Sequence, residues 1–244
     1  MKQLAFDLPY RPALGREDFL VADSNADAVA WLDRWPDWPR VGRLPHALVI
    51  YGPAGCGKTH LASVWQSISG ARRTDASAVT QAAVPALLGE ATALVLDDAD
   101  RVSDERGLLH LLNLLGERDG HLLLTMRDAP ARLAARLPDL HSRLAALPAV
   151  GLGAPDEPLL AAVMVKLFAD RQLMVSQDLV QFLLPRIERS FASLRAIVDR
   201  LDRAALASRR NITVPLAREI LSQDWPEETD MPAPRDDDNK QEGN

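Results

Sequence analysis

Hydrophobic and polar positions follow two regimes along this chain. In its first 150 or so residues, short continuous apolar runs alternate with longer amphipathic stretches. The clearest runs are residues 46–51 (HALVIY), 92–96 (TALVL) and 121–125 (HLLLT). A run that is apolar at every position, rather than at every second one, belongs to a strand covered on both faces. Residues 71–74 are a candidate further strand, and residues 149–152 a short last one. Between the runs lie helical patterns. Residues 24–35 put Ala28, Trp31, Leu32 and Trp35 on one face, with Ser24 or Asn25 as the cap and Pro36 and Pro39 as the stop. Residues 58–68 and the leucine-rich 104–115 are helices, and residues 81–88 a weak helix interrupted near Pro85. Strands alternating with helices predict an α/β fold, a parallel sheet with helices on both faces.

After Pro155 the strand pattern stops. Residues 157–171, 177–187, 191–208 and 214–223 read as four helices, with Ser176, Ser190 and Thr213 as caps and Pro215 near a helix start. The expected organisation is a short N-terminal segment (1–17), an α/β domain (18–154), a small helical lid domain (155–223) and a disordered tail (224–244).

Composition narrows the function classes. The chain has 244 residues, 47% hydrophobic and 25% charged, as a globular protein does. No apolar run approaches the roughly 18–20 residues of a membrane helix. The N-terminus, MKQLAFDLPYRP, lacks the apolar core of a signal peptide, and the one cysteine, Cys56, suits a reducing compartment. A cytoplasmic location and no membrane partner are expected. The net charge of −6 resides in the tail, where eight acidic residues between Asp224 and Glu242 face only Arg235 and Lys240. Residues 1–223 are therefore neutral overall. A protein that grips DNA by neutralising phosphates is basic, so autonomous tight DNA binding is disfavoured.

The candidate chemistry centres on one loop. Gly52-Pro53-Ala54-Gly55-Cys56-Gly57-Lys58-Thr59 matches G-x-x-x-x-G-K-[ST], follows a strand and opens a helix. In this pattern the glycines let backbone N–H groups surround the phosphates, and the helix N-terminus adds its dipole. Lysine reaches the β/γ-phosphates and the threonine hydroxyl ligates Mg²⁺. ADP or ATP with Mg²⁺ is the expected ligand. Asp97 and Asp98 end the run TALVL. Asp97 is the candidate second Mg²⁺ residue, and Asp98 the group that would orient the attacking water. Thr125, ending the next run, is a candidate contact to the γ-phosphate or the water. The tryptophans near the prolines read as packing, and the scattered histidines show no metal spacing.

These pieces together resemble the AAA+ ATPases, and within them the clade of the bacterial replication initiator DnaA and its shorter Hda-type relatives. The resemblance runs over residues 1–222. It is carried by the loop continuing as Gly57-Lys58-Thr59-His60-Leu61, by Asp97-Asp98, and by Asp18-Phe19-Leu20-Val21 before Ser24-Asn25. Leu137-Pro138-Asp139-Leu140-His141-Ser142-Arg143-Leu144 carries it further, as does Ile212-Thr213-Val214 with Arg218-Glu219-Ile220-Leu221. It implies that Phe19, Leu20, Val21 and His60 lie beside the nucleotide. It also implies that Arg143 is an arginine finger acting on a neighbouring subunit's γ-phosphate. Such fingers are worth about 10³–10⁵ in rate. The family carries a nucleotide-sensing arginine early in a lid helix. Ala192 stands there in this chain, and Arg195, three residues on, is the candidate substitute.

The chain is expected to end where the initiator's DNA-binding domain would begin, which points to the Hda type. Gln3-Leu4-Ala5-Phe6-Asp7-Leu8 is similar to the N-terminal peptide by which that type docks on the replicase sliding clamp, the beta subunit of DNA polymerase III. Gln3 would supply amide hydrogen bonds, and Leu4, Phe6 and Leu8 would fill an apolar groove. The resemblance thus implies a nucleotide-bound negative regulator of replication initiation. It would contact DnaA and the clamp, reach DNA through the clamp, and have weak intrinsic turnover. A self-assembling ATPase of helicase-loader type and a non-catalytic clamp adaptor are the alternatives.

Overall fold

A computed structural model describes residues 20–222. Gln3, Leu4, Phe6, Leu8, Phe19 and the acidic tail lie outside the described residues.

Five strands form one parallel sheet: β1 (His46–Tyr51), β2 (Arg72–Asp75), β3 (Ala93–Asp97), β4 (His121–Met126) and β5 (Ala149–Gly151). Their order across the sheet is β2-β3-β4-β1-β5. The central strands are buried on both faces, which is why their sequences are continuous apolar runs. Because side chains alternate along a strand, each run feeds two cores. Ala47, Val49, Leu94, Leu96, Leu122 and Leu124 join one of them. There they meet the apolar sides of α3 (Val84–Leu88), α4 (Glu105–Glu117) and α5 (Pro138–Ala145). Leu48, Ile50, Val95 and Leu123 face the other way, onto α1 (Ala26–Asp33) and α2 (Lys58–Ser69). Each such buried Val, Leu or Ile side chain contributes roughly 1.5–3 kcal/mol.

The tryptophans do pack. Trp38 stacks on Trp65 with ring centroids 5.1 Å apart and donates its indole N–H to the Trp31 carbonyl. Asn25 stands at the α1 N-terminus, but its side chain turns backward. It accepts from the Ala22 N–H and donates to the Leu20 carbonyl, so it ties down the preceding segment. Pro85 sits in the first turn of α3, where its missing N–H costs nothing, so it starts that helix rather than interrupting it. Asp104 caps α4 through the Gly107 N–H, and the amide of Gln81 also binds its carboxylate.

The last four helices build a separate core. They are α6 (Glu157–Asp170), α7 (Gln177–Leu183), α8 (Phe191–Ser208) and α9 (Val214–Ser222). Met164, Phe168, Leu194, Leu201 and Ile220 meet at its centre. Asp156, Ser176 and Ser190 cap α6, α7 and α8 with their side chains. The expected long second lid helix is shorter than the sequence pattern suggests: α7 ends at Leu183, and residues 184–186 tighten into a 3₁₀ turn around Pro185.

Candidate functional site

The loop from Gly52 to Gly57 joins the C-terminal end of β1 to the N-terminus of α2, between β4 and β5. Gly55 and Gly57 have φ of +74° and +108°, which L side chains rarely adopt. Space excludes side chains as well. A Cβ on Gly52 would lie 2.2 Å from the Leu152 carbonyl oxygen, and one on Gly55 would lie 2.7 Å from the Ser190 Cβ. No side chain caps α2, whose N-cap residue is Gly57. A bare helix N-terminus behind a tight glycine loop leaves N–H donors for an anion. Lys58 is buried, and its ammonium donates to the loop carbonyls of Gly52 (2.7 Å) and Pro53 (2.9 Å). Thr59 and His60 are exposed on the first turn of α2. The residues therefore fit a phosphate-bearing ligand.

Cys56 is buried at the heart of the loop. Burial pushes its thiol above the ordinary range, and the neighbouring Lys58 ammonium pulls against that.

At the ends of β3 and β4, three predicted residues form one cluster. The Thr125 hydroxyl donates to the Asp97 carboxylate (2.9 Å) and accepts from the Asp98 N–H (3.0 Å). Thr125 is almost wholly buried, 1% exposed. Its hydroxyl thus clamps the two aspartates together. Asp98 takes a left-handed backbone conformation (φ 50°), which its short polar side chain tolerates. Its carboxylate is half exposed and lies 3.6 Å from Arg101.

The sequence did not reveal the partner of Asp97. Arg73, on edge strand β2, makes a salt bridge to the second carboxylate oxygen of Asp97 and donates to the Ser63 hydroxyl on α2 (2.7 Å). A cation in a short polar strand carries no motif, so only the folded register exposes it. Among the described residues no group of three or more His, Cys, Asp or Glu side chains could hold a metal by itself. Thr59 and Asp97 would hold one only together with the oxygens of a bound phosphate.

The lid reaches the loop directly. The Phe191 N–H donates to the Gly55 carbonyl (2.9 Å), and the Phe191 ring lies 3.2 Å from where a Gly57 Cβ would stand. Ala192 is brought to the same place, its Cβ 3.6 Å from a Cβ built on Gly55. The predicted register of the lid helix thus puts Ala192 beside the loop. Arg195 is exposed one turn further along α8. Leu20 and Val21 are half-buried beside α1, and the Ser24 carbonyl of the same segment accepts from the Gly153 N–H next to Leu152.

Arg143 lies on α5, a helix that the hydrophobic pattern did not predict. Its guanidinium is held by Asp139 one turn back (2.9 Å) and by the Asn113 side-chain carbonyl on α4 (2.7 Å), and is about one-third exposed.

Comparison with known proteins adds the relationship. Residues 160–221 match the model of the Hda lid domain. An uncharacterised Haemophilus influenzae protein is 29% identical over 71% of this chain and 80% of its own length. A Campylobacter jejuni chromosomal replication initiator protein DnaA is 22% identical over 86% of this chain. The match spans about half (52%) of that relative's length. Domain III of the Thermotoga maritima DnaA superposes with a TM-score of 0.71 at 20% identity, covering 88% of this chain and 98% of that one. AMPPCP-bound DnaA from Aquifex aeolicus superposes at 0.63 and 19% identity, covering 80% and 66%. The lid is thus similar to that of Hda, and the sheet with its phosphate loop has the AAA+ fold of DnaA domain III.

Proposed function

We propose that this chain is a nucleotide-bound regulator of replication initiation that acts on DnaA. In this reading it docks on the replicase sliding clamp through its N-terminus and supplies Arg143 to ATP held by DnaA. The observation that carries it is a complete phosphate loop beside engaged acids. Asp97 is held by Arg73 and Thr125, and the half-exposed Asp98 lies against Arg101. Such a site suits holding a nucleotide more than turning it over.

ADP or ATP would be held by the loop amides, with Lys58 exchanging its carbonyl partners at Gly52 and Pro53 for phosphate oxygens. Bound Mg²⁺ would neutralise phosphate charge, held by Thr59 and, if it is released from Arg73, by Asp97. Leu20, Val21 and the undescribed Phe19 would line the base side. His60 stands exposed beside Thr59, and Arg195 would be the distal lid cation. The similarity to AMPPCP-bound DnaA supports the nucleotide; the Hda-type lid supports DnaA as partner. Clamp docking through Gln3, Leu4, Phe6 and Leu8 rests on the sequence alone. The expected location is the cytoplasm, and among the described residues no helix is long and apolar enough to cross a membrane.

The test is ATP turnover measured with the chain alone and then with ATP-bound DnaA, clamp and DNA added. The reading expects little turnover alone and a large increase in the complete mixture. Brisk turnover by the chain alone, unaffected by DnaA, would favour a self-assembling ATPase instead.

A further inference from the structure

Arg73 ties Asp97, one of the two residues that would hold a metal, to helix α2, whose first turn carries the other, Thr59. One side of its guanidinium engages Asp97, and the other donates to the Ser63 hydroxyl at 2.7 Å. That hydroxyl in turn donates to the Thr59 carbonyl at 2.9 Å. A continuous polar chain therefore runs from the end of β3 through Arg73 to the first turn of α2. The Asp97 side chain is 17% exposed and that of Arg73 is 27% exposed. Water screens this pair only partly. The other Asp97 oxygen is already taken by Thr125.

We propose that Arg73 is a built-in cation at the nucleotide site, one that makes nucleotide binding largely independent of Mg²⁺. The proposal rests on the nucleotide-binding reading of the loop. Its reasoning is electrostatic. A partly buried carboxylate next to bound phosphates needs a counter-charge, and a guanidinium fixed by one bond to Asp97 and another to Ser63 supplies it. Bringing Asp97 to a metal would break that pair and leave a partly buried arginine uncompensated, which is the costly direction. The metal would then be held by the nucleotide's own oxygens and Thr59, adding little affinity through the protein. Edge strand β2 is the place for such a residue. From there a long side chain reaches beneath α2 to the β3 terminus, in register with Val95, two residues before Asp97.

The test is ADP affinity by calorimetry, with millimolar Mg²⁺ and with EDTA, for the full chain and for Arg73→Gln and Arg73→Lys. Thermal melts check that each variant is folded. The wild-type dissociation constant should change by less than about threefold between the two conditions, a fraction of the 1.4 kcal/mol that a tenfold change represents. Arg73→Gln should bind ADP more weakly in EDTA and recover at least about tenfold with Mg²⁺. Arg73→Lys, which keeps the charge and loses the fork, should fall between them. A large Mg²⁺ dependence in the wild type would by itself overturn the proposal, and so would a Gln variant with wild-type dependence. No ADP binding by the wild type under either condition would instead refute the nucleotide reading, and this inference with it.

Discussion

Thr125→Val is the most informative single substitution in the body of the protein. Valine matches threonine in shape, so it creates no cavity at a position only 1% exposed. What it removes is one hydroxyl that serves both aspartates, as donor to Asp97 and acceptor from the Asp98 N–H. Each hydrogen bond is worth about 1 kcal/mol net, and partly buried groups left unpaired raise the cost. The expected loss is therefore about 2–3 kcal/mol. For a chain of this size, 1 kcal/mol is roughly 2–4 °C in Tm, so the melt should fall by about 5–10 °C. Thr125→Ser keeps the hydroxyl and loses one methyl group, which costs about 1 kcal/mol. Urea denaturation of the three proteins measures the ordering, and amide hydrogen exchange at Asp98 locates it. A valine variant as stable as the serine variant, with unchanged exchange at Asp98, would refute the clamp role of Thr125.

The loop and the N-terminus yield further expectations. Lys58→Ala removes the one cation inside the phosphate loop, so ADP affinity measured by calorimetry should fall by at least about tenfold. Alkylation of Cys56 should be slower than that of a free thiol at pH 8 and still be rising at pH 9, because burial holds its pKa above the ordinary value. The sign for stability follows. The folded state prefers the thiol form, so this contribution is complete below the unfolded-state pKa and is lost as pH rises through the folded one. A rate already saturated by pH 8 would mean that the Lys58 charge outweighs burial. Deleting residues 1–9 should abolish co-elution with the clamp and leave the Tm of the body unchanged; co-elution of the shortened chain would contradict N-terminal docking.

How much of this was legible in the sequence depended on whether the signal was local. The strands β1, β3 and β4 announce themselves because burial on both faces demands continuous apolar runs. The loop and the caps Ser176 and Ser190 are short-range chemistry and stand where expected. Helix α5 was missed because it presents few apolar side chains, Leu140 and Leu144 being its buried ones. Pro85 looked like an interruption because only the observed helix start shows it in the first turn. The roles of Arg73, Asn113 and Phe191 depend on partners 24, 30 and 136 positions away along the chain (Asp97, Arg143 and Gly55). No periodicity reports such contacts. Thr125 was found by its place at a strand end. Which way its hydroxyl points is a property of the sheet register, and it points between Asp97 and Asp98.

The central claim is that Arg143 acts on ATP held by DnaA. The chain already holds this guanidinium in a fixed orientation, between Asp139 and Asn113 at the surface of α5. The ion pair with Asp139 adds only about 0.3–0.5 kcal/mol and the bond to Asn113 about 1 kcal/mol more, so Arg143→Ala should still fold, bind ADP and bind the clamp, with a slightly lower Tm. The decisive measurement is ATP hydrolysis on DnaA in the presence of clamp and DNA, with wild-type chain, Arg143→Ala and Arg143→Lys. The account predicts that the alanine variant loses the stimulation by about 10³-fold or more. The lysine variant should recover little of it, because a point charge does not reproduce the planar fork. Full stimulation by Arg143→Ala would contradict the account and leave a non-catalytic adaptor role in its place.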